Sequence, residues 1–346
     1  MLHRFVALIS LTVIVSVASI APAQEVDAAQ PRVDQRERFD GHMVVRAAPR
    51  NVRELQALLA LTPDVWSHGV GVGPLDVRIP PEAREALDAT GIAYEVLIDD
   101  VQRLIDFEAQ TAGREGGPDG PWFDAYKTYD QINAYLQTLA DLRPDIATVI
   151  TIGTSIEGRT IKGLEITGAA PGPDVRGVLF NGCQHSREWV ASMATTYIAD
   201  QLIRLHGSDP AITQLVDSTI FYVLPVVNVD GFVYTWTTNR LWRKNRRNNG
   251  NGTFGIDLNR NWSYEWGGVG SSGDPNSDLY RGTAPFSEPE TAALRDFLLD
   301  RPWVERHADI HSYSQYVLYP WAFTNQLILQ RRISSSSLAS IADDVL

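Results

Sequence analysis

From Val178 onward the chain alternates short apolar strands with amphipathic helices, and this alternation limits the possible folds more than any other feature. Val178 to Asn181 reads as a buried strand, Trp189 to Arg204 as a helix and Ile220 to Val227 as a strand. A helix from Glu288 to Leu299, opened by Ser287, then leads to a strand at Ala308 to Ser312. Upstream, a helix over Tyr129 to Leu142, begun by Thr128 or Asp130, precedes strands at Thr148 to Ile152 and Lys162 to Ile166 that read as a pair. Strands and helices in this order predict an α/β domain, a mixed central sheet with helices on both faces.

A smaller unit comes first. His42 to Arg46 reads as a strand. Asn51 caps a helix carrying Leu55, Leu58 and Leu59, and two short strands lie between Val65 and Ile79 around Gly71 and Gly73. Pro80-Pro81-Glu82 opens a second helix with Ala86 and Leu87, and Ile92 to Ile98 reads as a last strand. The order β-α-β-α-β predicts a small α+β, ferredoxin-like layer of two helices on one antiparallel sheet. Between 111 and 121 four glycines and two prolines break the pattern, which makes this stretch a linker, and Arg114 within it is a candidate cleavage point for an arginine-directed protease. The expected division is therefore 24–110, 111–121 and 122–346.

Residues 1–23 read as a signal peptide. Arg4 supplies the positive start, Phe5 to Ile20 the apolar stretch, and Ala21-Pro22-Ala23 the small-x-small cleavage pattern. The expected destination is secreted or periplasmic. The apolar run is short for a span and no later segment approaches membrane length, so no membrane association is expected after signal removal. A net charge of −12 disfavours phosphate backbones, and nucleic acid is not an expected partner. Cys183 is the single cysteine, so no internal disulfide forms. At the end of a strand it reads as a small buried residue rather than a thiol nucleophile.

The stretch Asn181-Gly182-Cys183-Gln184-His185-Ser186-Arg187-Glu188-Trp189 sits where a strand hands over to a helix. His185 and Glu188, three positions apart near a helix start, can aim an imidazole nitrogen and a carboxylate oxygen at one zinc ion; the other reading is a surface ion pair. His311 is the candidate third ligand, on a strand face shared with Asp309 and Tyr313, with His307 as its competitor. Between them, Asn239 to Arg247 form a dense positive cluster, which on its own reads as a solvated loop or an anion patch. In Gly255-Ile256-Asp257-Leu258-Asn259-Arg260-Asn261-Trp262 an amide and a guanidinium stand side by side, and such a pair grips a carboxylate well.

These motifs resemble the zinc metallocarboxypeptidases of the carboxypeptidase A/B family, from about Trp122 to Pro320, and the first unit resembles that family's activation domain. The resemblance implies a carboxypeptidase-like fold and a zymogen that hydrolyses the last peptide bond of peptides and proteins with free C-termini, once an activating protease has cut the linker. It implies one Zn²⁺ held by His185, Glu188 and His311, with Asp257 orienting His185. By the same resemblance Arg243 polarises the scissile carbonyl, Asn259 and Arg260 grip the terminal carboxylate, and Arg187 and Tyr313 contact substrate.

The resemblance also places a general-base glutamate and a tyrosine well downstream of the third ligand. The sequence ends at Leu346, its stretch from Gln330 does not resemble the corresponding segment, and no glutamate follows Glu305. On this reading the chain is C-terminally truncated and is expected to be inactive or poorly soluble. The alternatives are a non-catalytic module that binds zinc and peptide C-termini, or a non-functional fragment. Glu288, Glu290 and Glu305 are weak substitutes for the base, the first two serving the start of their helix and the third lying at the surface.

Overall fold

The computed structural model describes residues 36–318, apart from 63, 68–69, 111, 113–120, 169–174, 269 and 314–316. The expected signal peptide, Arg114 in the linker and the terminal stretch from Gln330 lie outside the described residues.

In the N-terminal unit β1 (Met43–Ala47) is the central strand, flanked by antiparallel β2 (Leu75–Ile79) and β3 (Tyr94–Ile98). Helix α1 (Val52–Leu61) starts where the Asn51 side chain accepts the Glu54 N–H at 3.0 Å, and α2 (Arg84–Thr90) follows a 3₁₀ turn that places Pro81 at its first position. Leu58 and Leu87 from these helices pack on Val45, Val77 and Ile79 in one buried cluster. Two expectations need correcting. Between Val65 and Ile79 only the second strand forms, and Val65 makes a single bridge to Val77. A third helix, α3 (Val101–Ala109), follows β3, with Asp100 accepting the N–H groups of Gln102 and Arg103. Val101 of this helix is buried with Phe39 and Val44, and Leu241 from the second domain packs on the same cluster. The missed helix is thus part of the contact between the two units.

The second domain is built on a five-stranded sheet in the order β4 (Ala147–Thr154), β5 (Thr160–Ile166), β7 (Thr219–Leu224), β6 (Arg176–Gly182) and β8 (Val304–Ile310). The first three strands run antiparallel, whereas β7, β6 and β8 run parallel, so the sheet is mixed as expected. Helix α4 (Tyr129–Leu142) opens with the predicted Thr128, whose side chain and that of Gln131 form a reciprocal capping box. It joins α5 (Trp189–Leu205) over the sheet face bearing Phe221 and Val223. The opposite face, bearing Leu179, Tyr222 and Leu224, is covered by Leu294, Phe297 and Leu298 of α8 (Pro289–Leu299).

The sequence reading missed α6 (Pro210–Ser218) and α7 (Val229–Thr237), both nine residues long and started by the side chains of Asp209 and Asn228. Glu288 rather than Ser287 stands at the cap position of α8, with no side-chain cap bond. The last strand begins at Val304 and ends at Ile310, so His311 is one residue beyond it rather than within it.

Gly182 ends β6 where α5 passes over it. A Cβ at this position would lie 2.7 Å from Thr195 Oγ1 and 3.0 Å from the Ala191 carbonyl oxygen, so only glycine lets the helix rest on the strand end. We expect Gly182→Ala to cost about 1–3 kcal/mol through overpacking. Urea unfolding checks this, and a midpoint equal to that of the parent chain would contradict it.

Candidate metal centre

The turn that carries the site starts at Cys183, which holds a left-handed φ of 55° and redirects the chain out of β6. Its buried thiol donates to the Glu188 carbonyl at 3.1 Å, and burial pushes its pKa up, so it is inert packing as expected. Asn228 closes the turn from outside by donating to the Gln184 carbonyl at 3.0 Å. The consequence is a rigid platform for the next few side chains.

On that platform His185 Nδ1 lies 2.9 Å from Glu188 Oε1. Parallel pairing of β6 with β8 brings Gly182 opposite Ile310, and His311, one residue further on, reaches across. Its Nδ1 lies 2.9 Å from Glu188 Oε2 and 3.1 Å from His185 Nδ1. Both imidazoles therefore turn Nδ1 to a shared point and Nε2 away from it. His185 Nε2 lies 3.2 Å from Asp257 Oδ1, without hydrogen-bond alignment, and His311 Nε2 lies 2.6 Å from Asp309 Oδ2.

The three candidate ligand residues lie together, with donor atoms all within 4.8 Å of one another. Glu188 is buried, so the surface ion pair is excluded. His307 is not part of the group. It sits on β8, where it bonds Asn181 Oδ1, and the strand also rules out a helical pairing with His311. Two lone-pair nitrogens and a carboxylate aimed at one spot repel unless a proton or a cation stands between them. Two nitrogens and one carboxylate, with an acid behind each ring, is a donor set that suits Zn²⁺.

The charges reflect this crowding. Burial raises the Glu188 pKa, but His185 and His311 outweigh it and hold the carboxyl well below its ordinary range. Burial lowers the His311 pKa, yet Asp309 and Glu188 push it up to about 10. Burial likewise raises the pKa of Asp257, which Arg243 and His185 more than reverse.

Arg243 is buried and sends Nε and Nη2 to Asp257 Oδ2 at 3.1 and 3.0 Å. Asp257 Oδ1 also accepts the Asn259 N–H at 3.0 Å, at the head of a 3₁₀ turn over Leu258–Arg260. One acid thus ties the two halves of the site. The amide of Asn259 is buried and both its side-chain atoms lack a hydrogen-bond partner. A buried polar pair without partners is costly, so this amide is poised to receive one. Arg260 is held beside it by bonds to the carbonyls of Gly270 and of Asn259, each 2.9 Å long.

Arg187 and Tyr313 face the N-terminal unit. Arg187 Nη1 donates to Asp64 Oδ1 at 2.8 Å and Nη2 to the Val65 carbonyl at 3.1 Å, with Trp66 stacked 5.6 Å from the guanidinium. Tyr313 donates to Asp76 Oδ2 at 2.7 Å. Arg240 Nε pairs with Glu108 of α3 at 2.9 Å. A cavity of about 150 Å³ remains between the units, lined among others by Trp66, Leu104, Glu188, Arg243 and Tyr313. Sequence reasoning missed Asp64, Trp66, Asp76 and Glu108, because no local pattern marks a residue whose partner lies more than a hundred positions away. It noted Asp309 only as a neighbour of His311, though the spacing of two was the available signal.

Glu288 and Glu290 lie buried elsewhere, binding Asn245, Arg247 and the Ile156 N–H, and Glu305 pairs with Arg176 at the surface. Glu305 is at the surface as expected, whereas Glu288 and Glu290 tie their helix to distant segments through buried carboxylates instead of capping it.

Residues 132–345 match the family described as zinc carboxypeptidase, so the likeness runs past Pro320 and takes in the stretch from Gln330, against expectation, and residues 45–108 match the carboxypeptidase activation peptide. Mouse carboxypeptidase A1 is 36% identical over 307 residues, a match covering 84% of this chain and 73% of that protein. Metallocarboxypeptidase A of Trichophyton tonsurans is 35% identical over 300 residues, covering 83% of this chain and 71% of that protein. Among solved structures, carboxypeptidase A from Helicoverpa armigera superposes with a TM-score of 0.72 at 31% identity, covering 82% of this chain and 73% of that one. Thrombin-activatable fibrinolysis inhibitor does so with a TM-score of 0.76 at 28% identity, covering 84% of this chain and 76% of that one. With the sequence, the fold and the converging ligand group all in agreement, the chain belongs to the zinc carboxypeptidase family and carries that family's activation peptide.

Proposed function

We propose that this chain is an exported zymogen of a zinc-dependent exopeptidase that acts on peptides and proteins with free C-termini. It divides at about 24–110, 111–121 and 122–346 behind a signal peptide over 1–23. His185, Glu188 and His311 hold one Zn²⁺ per chain. The observation that carries the reading is the unpartnered, buried amide of Asn259 beside Arg260, on the same acid-linked frame as the ligand group.

When bound, zinc polarises the scissile carbonyl and acidifies a water. The rest falls to the chain's own residues. Asn259 and Arg260 take the terminal carboxylate, which selects the last peptide bond and no internal one. Asp257 holds Arg243 through Nε and Nη2, leaving Nη1 to meet the oxygen on which negative charge develops. Arg187 and Tyr313 contact the peptide upstream of that bond once Asp64, Val65 and Asp76 release them.

A general base is not among the assigned residues. Among the described residues Glu288, Glu290 and Glu305 are committed elsewhere. This observation favours a second reading, in which the chain binds zinc and peptide C-termini without turning them over. Hydrolysis of a peptide with a free C-terminus by the linker-cleaved chain separates the two.

Three outcomes are expected. Metal analysis of the purified chain gives one zinc per chain, and His185→Ala reduces this to background. Asn259→Ala weakens binding of a peptide acid by about ten- to a hundredfold, the loss of a hydrogen bond to a charged group, and leaves binding of the peptide amide unchanged. Calorimetric titration of both peptides reads this out, and equal losses for acid and amide would refute the clamp. Asp64→Asn, by weakening the cover over Arg187, makes the uncut chain bind the peptide acid on the order of tenfold more tightly. No change in affinity there would mean that the N-terminal unit does not compete with substrate.

A further inference from the structure

Behind His311 the structure holds an oriented relay of buried polar groups that none of the roles above uses. Asp309 receives three donors. His311 Nε2 meets Oδ2 at 2.6 Å, Gln184 Nε2 bonds the same oxygen, and Asn181 Nδ2 bonds Oδ1 at 2.5 Å. The side chain of Asp309 is 2% exposed, and Asn181 and Gln184 are fully buried.

The direction of the Gln184 bond is fixed by the next group outward. Indole N–H of Trp262 can only donate, and it donates to Gln184 Oε1 at 3.0 Å, which forces the Gln184 amide nitrogen toward Asp309. At Asn181 the carboxylate itself sets the direction: it can only accept, so Asn181 turns its nitrogen to Asp309 and its oxygen to His307 Nε2. Both amides therefore present donors, and the carboxylate between them is locked as an acceptor. An acceptor at that place keeps a proton of His311 on Nε2, so that Nδ1 is the nitrogen that serves the shared point.

We propose that Asp309 is a positioning residue for His311, the counterpart on the third ligand of what Asp257 does for the first. It acts through the imidazole and touches neither substrate nor metal. Orienting the ring and placing a negative charge behind it raises the ligand's basicity, and groups that hydrogen-bond a ligand in this way are worth about ten- to a hundredfold in metal affinity. Trp262 is the outer stop that keeps Gln184 turned the right way.

The inference rests on zinc being held by His185, Glu188 and His311, and the test keeps the two apart. Zinc affinity of the full chain is measured by competition with a chromophoric chelator for the parent, Asp309→Asn and Asp309→Ala, alongside the thermal midpoint of each metal-free protein. Asparagine matches the shape of aspartate and keeps an oxygen for Nε2 but loses the charge. We expect Asp309→Asn to weaken zinc binding about tenfold and Asp309→Ala about a hundredfold at a temperature where each metal-free protein is folded, with the metal-free midpoint of Asp309→Asn lowered because its amide nitrogen meets a buried donor. Should the alanine variant fail to fold, Asp309→Asn decides alone. Parent-like zinc affinity in Asp309→Asn would overturn the role of Asp309 while leaving the metal site intact. A parent chain that binds no zinc would overturn both.

Discussion

The structure depends on one pairing register, that of β6 with β8. Asn181 stands opposite Asp309 and Gly182 opposite Ile310, which brings His311 to a glutamate and a histidine 123 and 126 positions earlier in the chain. Side chains alternate along a strand, so a slip of one residue would turn Asp309 away from Asn181 and carry His311 off with it. The apolar partners that resist such a slip are on the same face, where Leu179, two residues before Asn181, shares a cluster with Val304, Leu294 and Leu298. Core packing on one side of the sheet thereby sets the geometry of the polar site at its end.

That site concentrates negative charge. Glu188, Asp257 and Asp309 are all buried around two imidazoles, and Arg243 is bonded to Asp257. Burying carboxylates is expensive unless cations or donors satisfy them. The excess of acid is the physical reason the cluster favours a divalent cation, and two of the same acids, Asp309 and Glu188, lift the His311 pKa. The arrangement reads as a socket in which stability and metal affinity are coupled, because the same groups serve both.

Much of this was legible in the sequence, for reasons that differ by residue. His185 and Glu188 are three apart on one turn, so their convergence is local and needed no tertiary information. The capping box at Thr128 and the alternation of strands and helices are local in the same sense. His311 could be chosen over His307 only by its flanks, and the strand end fell at Ile310 rather than Ser312 because pairing with β6 stops at Gly182. Helices α3, α6 and α7 escaped because each is nine residues long and bounded by polar caps, too short for periodicity to separate from loop. Contacts such as Arg187 with Asp64 were out of reach for a different reason. Each partner is an ordinary surface-type residue until the two units meet.

That meeting has a specific geometry. The N-terminal unit offers Arg187 a carboxylate and a carbonyl, from Asp64 and Val65, which are the groups a peptide would offer. Asp64 itself is shared with Arg78, and although burial raises its pKa, Arg187 and Arg78 hold it far below the ordinary range, so acid releases the pair only well below neutral pH. The cover does not extend to Asn259, whose side-chain amide lacks a hydrogen-bond partner. The unit therefore engages Arg187, Tyr313 and Arg240 and leaves Asn259 unmet. Separating the two units thus breaks the polar contacts of Arg187, Tyr313 and Arg240 and none to the Asn259 amide.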